Sequence, residues 1–187
     1  MTRPLRSDAI RNRDKLLAAA GQEFAAQGLD APLEHIAKRA GVSIGTLYNH
    51  FPTRDDFLNA LLPARIGRAM DEIAAEALAD DDPWRAFETY LAGIFSLQVK
   101  DRGLTDAISQ RIQLTPEVLE VCRRGLEHAV RLIDRAKAAG RLRPDFEPAD
   151  LTPLVLAMSE VIQRDPDGWP RFLAFYLDGL RVDVSRR

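Results

Sequence analysis

One cysteine, Cys122, stands in 187 residues, so no intrachain disulfide can form and no cysteine pair can hold zinc. Cys122 falls in a helix-like stretch and is expected to be a small core hydrophobe. Histidine is nearly as scarce. His35, His50 and His128 are far apart in the chain and lack the paired spacing of metal ligands. There is no glycine-rich phosphate loop and no serine elbow, so two common catalytic frames are missing. The acidic run Asp80-Asp81-Asp82 reads as a loop and helix cap, and Asp14 and Glu23 as solvated surface. No apolar run is long enough for a bilayer, and Met1-Thr2-Arg3-Pro4-Leu5-Arg6 carries no apolar stretch of the signal-peptide kind. The expectation is a soluble protein of the cytoplasm, with no cofactor, no metal and no membrane partner. Period-two alternation is also missing, which argues against β-strands.

What is present is helical punctuation in an ordinary globular composition, 46% hydrophobic and 29% charged. Ile10, Leu17, Ala20 and Phe24 recur at helical spacing from about Asp8 to Gln27, and Gly28 stops that helix. Asp30 caps a second, with Pro32 in its first turn and Leu33, Ile36 and Ala37 on one face, ended by Gly41. A short third runs over Ile44–His50 until Pro52. Thr53 caps a fourth, which Pro63 should kink or split. Further helices begin at Asp82-Pro83 and at Thr115-Pro116-Glu117, the latter running to Ala139. Two more carry Leu151 to Ile162 and Trp169 to Leu180. The fold class is all-α. Charge is uneven: Met1 to Arg54 holds eight Lys/Arg against five Asp/Glu, net +3, and the remainder 18 against 23, net −5. That asymmetry suits a polyanion bound at one end.

Leu33 to Ala40, the turn Gly41-Val42-Ser43, and Ile44 to His50 form a helix-turn-helix. Gly41 supplies a positive φ, Val42 plugs the gap between the helices, and Ser43 caps the second one. At about 100° per residue, Leu47 and Phe51 point inward together while Gly45, Thr46 and Asn49 face away. Such an outward face, without long acidic side chains, can enter a major groove. Asn49 can pair with an adenine edge, Gly45 permits close backbone approach, and Thr46 offers a hydroxyl and a methyl. Tyr48 reaches phosphate or packs on the first helix. Ile44 meets a thymine methyl or is half-buried, and His50 reaches phosphate or caps its own helix. Arg54, with the start of the fourth helix, can clamp a phosphate. Arg3, Arg6, Arg11 and Arg13 make a basic lead-in that is either a solvated tail or a groove contact.

The string Ile36-Ala37-Lys38-Arg39-Ala40-Gly41-Val42-Ser43-Ile44-Gly45-Thr46-Leu47-Tyr48-Asn49-His50-Phe51, followed by Pro52-Thr53-Arg54-Asp55-Asp56-Phe57-Leu58, resembles the DNA-binding signature of the tetracycline-repressor (TetR) family. The resemblance reaches back to about Leu16, roughly the first third of the chain. It implies an N-terminal three-helix DNA-binding domain (1–52) and a larger helical regulatory domain (53–187) that dimerises through its last two helices. It further implies repression of transcription and release from DNA when a small molecule enters the regulatory domain. Carried over by position, the DNA-contacting set is Ser43, Ile44, Gly45, Thr46, Tyr48, Asn49, His50 and Arg54. Where the family commonly opens its second helix with Thr or Ser, this chain has Pro32 and Leu33, so one phosphate-contacting hydroxyl is missing.

The closing helices have broad apolar faces. Leu151, Leu154, Met158, Phe172 and Tyr176 are the candidates for a two-fold interface, which would predict a palindromic operator in double-stranded DNA. Phe87, Tyr90, Ile94, Gln98, Ile108 and Ile112 either line an effector cavity or form ordinary core. With Tyr90 and Gln98 as the polar members, the effector is expected to be apolar or neutral. Two rival functions stay open: a DNA-binding factor that senses no ligand and works through a protein partner, and an enzyme whose site is invisible in sequence.

Overall fold

A computed structural model describes residues 3–109 and 115–182. The described residues form nine α-helices and no strand: α1 (Arg3–Gln27), α2 (Leu33–Ala40), α3 (Ile44–His50), α4 (Arg54–Leu78), α5 (Pro83–Lys100), α6 (Arg102–Ser109), α7 (Pro116–Ala138), α8 (Leu151–Arg164) and α9 (Trp169–Leu180). The all-α expectation holds. Contacts divide the chain into two compact units, 1–65 with 101–118 and 66–100 with 119–187. The first is larger than the 1–52 segment read from the sequence, because it takes in the start of α4 and all of α6.

In the first unit Leu16, Ala20 and Phe24 of α1 are buried with Ile36 of α2, Leu47 of α3 and Phe57 of α4. Phe57 stacks on Phe51 at 4.1 Å between centroids and meets Phe24 edge-on at 6.2 Å. Ile10, counted with this face, is exposed. The helix also begins earlier than expected. Arg3 and Pro4 belong to it, which a proline in the first turn permits because the N–H it lacks has no acceptor there. The lead-in therefore has helical backbone from Arg3 onward. Arg11 pairs with Asp8, and the Arg13 guanidinium lies 5.4 Å from the Phe51 ring centroid.

Three further expectations are corrected. Pro32, not Asp30, stands at the N-cap of α2, and no side chain caps that helix. Glu23 is 5% exposed rather than solvated; its carboxylate accepts from Arg39 and from Gln27, tying α1 to α2. Pro63 does not split α4, which runs unbroken from Arg54 to Leu78. α6 is an addition that the sequence reading passed over. It starts where Asp101 Oδ1 accepts the Leu104 N–H at 3.1 Å.

The second unit is built around one apolar cluster from α4, α5, α7, α8 and α9. Phe87 sits between Trp84 and Phe146, with ring centroids at 6.0 and 5.9 Å. A Cβ on Gly93 would lie 2.6 Å from Ile73, so glycine there allows α5 to press on α4. At the start of α5, Asp82 Oδ1 accepts the Arg85 and Trp84 N–H groups at 3.0 and 2.9 Å, the cap expected of the acidic run. Those backbone hydrogen bonds, led by Arg85, hold its carboxyl below the usual carboxylate range. The connector after α7 pairs with the end of α9 and the residues just beyond it: the Val182 N–H donates to the Arg141 carbonyl at 2.9 Å and the Arg143 N–H to the Leu180 carbonyl at 3.0 Å. Cys122 is exposed on α7 and not in the core, and burial of part of its surface pushes its thiol up. No helix among the described residues is long and apolar enough to cross a membrane.

Candidate nucleic-acid interface

Gly41 ends α2 in the left-handed region, φ 69°, and its N–H and that of Val42 return to the Lys38 and Ala37 carbonyls at 3.2 and 3.1 Å. This is the closure that glycine makes without steric cost. Ser43 then caps α3. Its Oγ accepts the Thr46 N–H at 3.1 Å and lies 2.9 Å from the Thr46 hydroxyl. At the other end the Phe51 N–H donates to the Leu47 carbonyl at 2.8 Å. Thr53 and Asp56 cap α4 reciprocally, the Thr53 N–H to Asp56 Oδ2 and the Asp56 N–H to Thr53 Oγ1, each at 3.1 Å. Seven residues of helix are therefore stopped sharply at both ends and cannot slide in register.

The two sides of α3 differ. Leu47 is 0% exposed and Phe51 is buried, so the back of the helix is locked into the hydrophobic core. Complete burial of such a side chain stabilises by roughly 1.5–3 kcal/mol. Ser43, Ile44, Gly45, Tyr48 and Asn49 are exposed, with Thr46 and His50 half-buried at the flanks. Tyr48 and Ile44, for which the sequence left two readings each, are both partly open to solvent. Tyr48 is 46% exposed and Ile44 37% exposed, so each keeps part of its surface available to a partner. The His50 ring lies 6.3 Å from that of Phe51. The outer side of α3 therefore offers hydroxyl, amide and phenol groups on a rigid base, with no carboxylate among them. That is the chemistry of a surface that meets base edges and phosphates.

Arg54 also has partners within its own chain. Its guanidinium donates from one nitrogen to the Leu29 carbonyl and to the Ala31 carbonyl, the latter at 3.1 Å, bracing the corner between α1 and α2. No local pattern signals this, because the partners are backbone atoms more than twenty residues away. The link of Arg39 to buried Glu23 was missed for a similar reason.

The expected effector residues do not share one environment. Phe87, Tyr90 and Gln98 are fully buried. The Tyr90 hydroxyl donates to the Gly125 carbonyl at 2.7 Å, and burial first, then the charge of Asp71, raises its phenol above the usual range. Gln98 accepts from the Ser159 hydroxyl at 2.8 Å, joining α5 to α8. Ile94 is half-buried against the same core. Ile108 lies on α6, in the other compact unit, and Ile112 falls outside the described residues.

The expected interface set also divides. Leu151, Leu154 and Met158 turn into the core of their own chain and are buried, so they leave almost no surface for a partner. Phe172 is exposed and Tyr176 half-buried. The outward faces of α8 and α9 are instead made by Leu156, Ala157, Phe172 and Phe175, the last 62% exposed. A concavity of about 370 Å³ lies on this side, floored by Leu154, Phe146 and Leu180 with Phe172 and Tyr176 along it. An apolar stripe marks the helix but does not reveal which of its two edges faces inward.

Comparison with known proteins finds matches for both parts of the chain. Residues 16–61 match the family model for bacterial regulatory proteins of the tetR family, and residues 82–182 match that of the SbtR-like transcriptional regulator C-terminal domain. The uncharacterized HTH-type transcriptional regulator TtgW of Pseudomonas putida is 39% identical over 66 residues, 35% of this chain. The chain spans about half of that relative, 49% of its length. The crystal structure of TetR transcriptional regulator SCO0520 from Streptomyces coelicolor is 31% identical, with a TM-score of 0.63 over 90% of this chain and 98% of that one. The fold alone is shared with the regulator FadR from Bacillus subtilis in complex with stearoyl-CoA, 16% identical, TM-score 0.65, covering 89% of this chain and 98% of that one.

Proposed function

Because the chain belongs to the TetR family of bacterial DNA-binding transcriptional regulators, we propose that it reads a palindromic operator as a homodimer and represses transcription until a small molecule releases it. The observation that carries the DNA-reading part is the two-sidedness of α3, with Leu47 and Phe51 locked behind and Ser43, Gly45, Tyr48 and Asn49 open in front. In this reading Asn49 and Thr46 contact base edges, Ile44 meets a thymine methyl, and Gly45 lets the backbone approach. Ser43, Tyr48 and His50 hold phosphates. Arg54 serves first as a brace, with its remaining donors turned to the phosphate beside the start of α4. The family is one of regulators and not of enzymes, and the cytoplasm is the compartment where such a protein meets DNA.

A two-fold pair joined through the outward faces of α8 and α9 would present two copies of α3 to successive major grooves. Ligand sensing rests on the family and on the acyl-CoA held by the FadR structure; the proposal carries over small-molecule sensing and not that ligand. An effector would have to part the packing around Ile94, Met70 and Ile73, with Tyr90 and Gln98 as polar anchors, and an apolar or neutral molecule suits that lining. The complete burial of Phe87 and Tyr90 is what favours a second reading, a regulator that senses no ligand. Selection of duplexes from a random pool tests the first part: enrichment of a palindrome with half-sites one or more helical turns apart is expected. A selected duplex whose affinity no small molecule alters would favour the second reading.

A further inference from the structure

The corner between α1 and α2 is gripped at a single residue from two directions. The Leu29 N–H donates to Asp106 Oδ2 at 3.0 Å, and Asp106 lies on α6, 77 residues further along the chain. The Leu29 carbonyl accepts from Arg54 at the start of α4, and the same nitrogen of Arg54 holds the Ala31 carbonyl. Both polar groups of one buried residue are thus satisfied by side chains from distant helices. Local geometry fits this arrangement. Gly28 has φ +80°, and a Cβ there would stand 2.2 Å from Asp106 Oδ2. A Cβ on Gly103 would stand 2.9 Å from the Phe24 carbonyl oxygen. α6 reaches the end of α1 because both points of contact are glycine. Arg65 holds the other flank, with an ion pair to Asp101 at 2.8 Å and a hydrogen bond to the Gly21 carbonyl.

The consequence concerns α2 and, through it, α3. α2 begins at Leu33, only four residues after Leu29, and its N-cap is a proline without a capping side chain. No side chain caps the start of that helix, so its entry depends on the burial of Leu33 and on the corner before it. Downstream, the Gly41 turn passes its position to α3. Leu29 and Ala31 are buried, and a buried N–H that loses its acceptor is driven to find another arrangement.

We propose that Asp106 is a positioning residue for DNA binding: its carboxylate, acting through the Leu29 N–H, sets the α1–α2 corner and hence the placement of the DNA-reading helix. This rests on the reading of Ser43 to His50 as the DNA surface. Asp106 itself touches no DNA. When the binding-competent placement is populated only part of the time, apparent affinity falls in proportion.

The test uses the full chain and two probes: a duplex that the wild-type protein selects from a random pool, and a random duplex of equal length. Asp106→Ala should bind the selected duplex roughly tenfold more weakly, with an unchanged active fraction by stoichiometric titration. Leu29 amide hydrogen exchange should accelerate in step. Asp106→Asn keeps an acceptor oxygen and should recover both readouts to within about threefold. Should Asp106→Ala melt below the assay temperature, Asp106→Asn and Asp106→Ser decide, since affinity must track Leu29 exchange across them. Fast Leu29 exchange with wild-type affinity in any variant overturns the proposal. So does failure of Asp106→Asn to recover binding when Leu29 is again protected. If the wild-type chain selects no duplex at all, the DNA-reading surface itself is refuted, and that result appears before any variant is made.

Discussion

Substitution at Ser43 separates the two duties assigned to that residue. In the free protein its hydroxyl caps α3, accepting the Thr46 N–H at 3.1 Å; in the proposed complex it stands beside a phosphate. Ser43→Ala removes the cap from a helix of seven residues, a loss of about 1 kcal/mol, which lowers the melting temperature by about 2–4 °C for a chain of this size. Ser43→Asp retains an acceptor at the cap and adds a negative charge at the positive end of the helix, worth about 0.3–1 kcal/mol in the free protein. Its melting temperature should therefore match or exceed that of the wild type. Toward DNA the sign reverses. A carboxylate about 4 Å from a phosphate costs roughly 1–4 kcal/mol across the range from bulk-water to protein-surface screening, or roughly fivefold to several hundredfold in affinity. Differential scanning calorimetry and fluorescence anisotropy at two salt concentrations read the two effects, and the repulsion should shrink as salt rises. A stable Ser43→Asp protein that binds duplex as tightly as the wild type would refute the placement of the α3 N-terminus against the backbone.

Three further outcomes are expected. Asn49→Ala should relax the preference at one base pair per half-site, at about 1–3 kcal/mol for that pair; an unaltered selected sequence would remove Asn49 from the reading set. Tyr48→Phe removes the hydroxyl proposed to donate to a phosphate, a neutral hydrogen bond, so competition binding should show selected and random duplexes weakened alike, with the salt slope nearly unchanged. Phe175→Glu changes a side chain that is 62% exposed, so sedimentation should show a folded monomer, whereas Met158→Glu introduces an unpaired charge into the core and should unfold the second unit; a dimeric Phe175→Glu protein would move the interface away from α9.

Legibility in the sequence followed the range of the interaction. α3 was readable to the residue because its determinants are adjacent to it: Gly41 as the stop, Ser43 as the cap, Pro52 beyond the end, Leu47 and Phe51 one turn apart. α6 was not. It is eight residues long, its cap Asp101 directly follows α5, and what holds it is Gly103 against Phe24 and Asp106 against Leu29, pairings set by tertiary approach. Glu23 looked solvated for the same reason: the partner that makes its burial tolerable, Arg39, comes sixteen residues later on another helix. Periodicity found the apolar stripes of α5 and α8 but could not separate residues filling their own core, such as Phe87 and Met158, from those left open beside them, such as Leu156.

Amide chemical shifts of the labelled chain, followed as a selected duplex is added, test the placement of DNA most directly. The largest changes should fall on Ser43 to His50 and the start of α4, with α5 and α9 nearly silent. Changes concentrated on α8 and α9, with α3 unmoved, would contradict it.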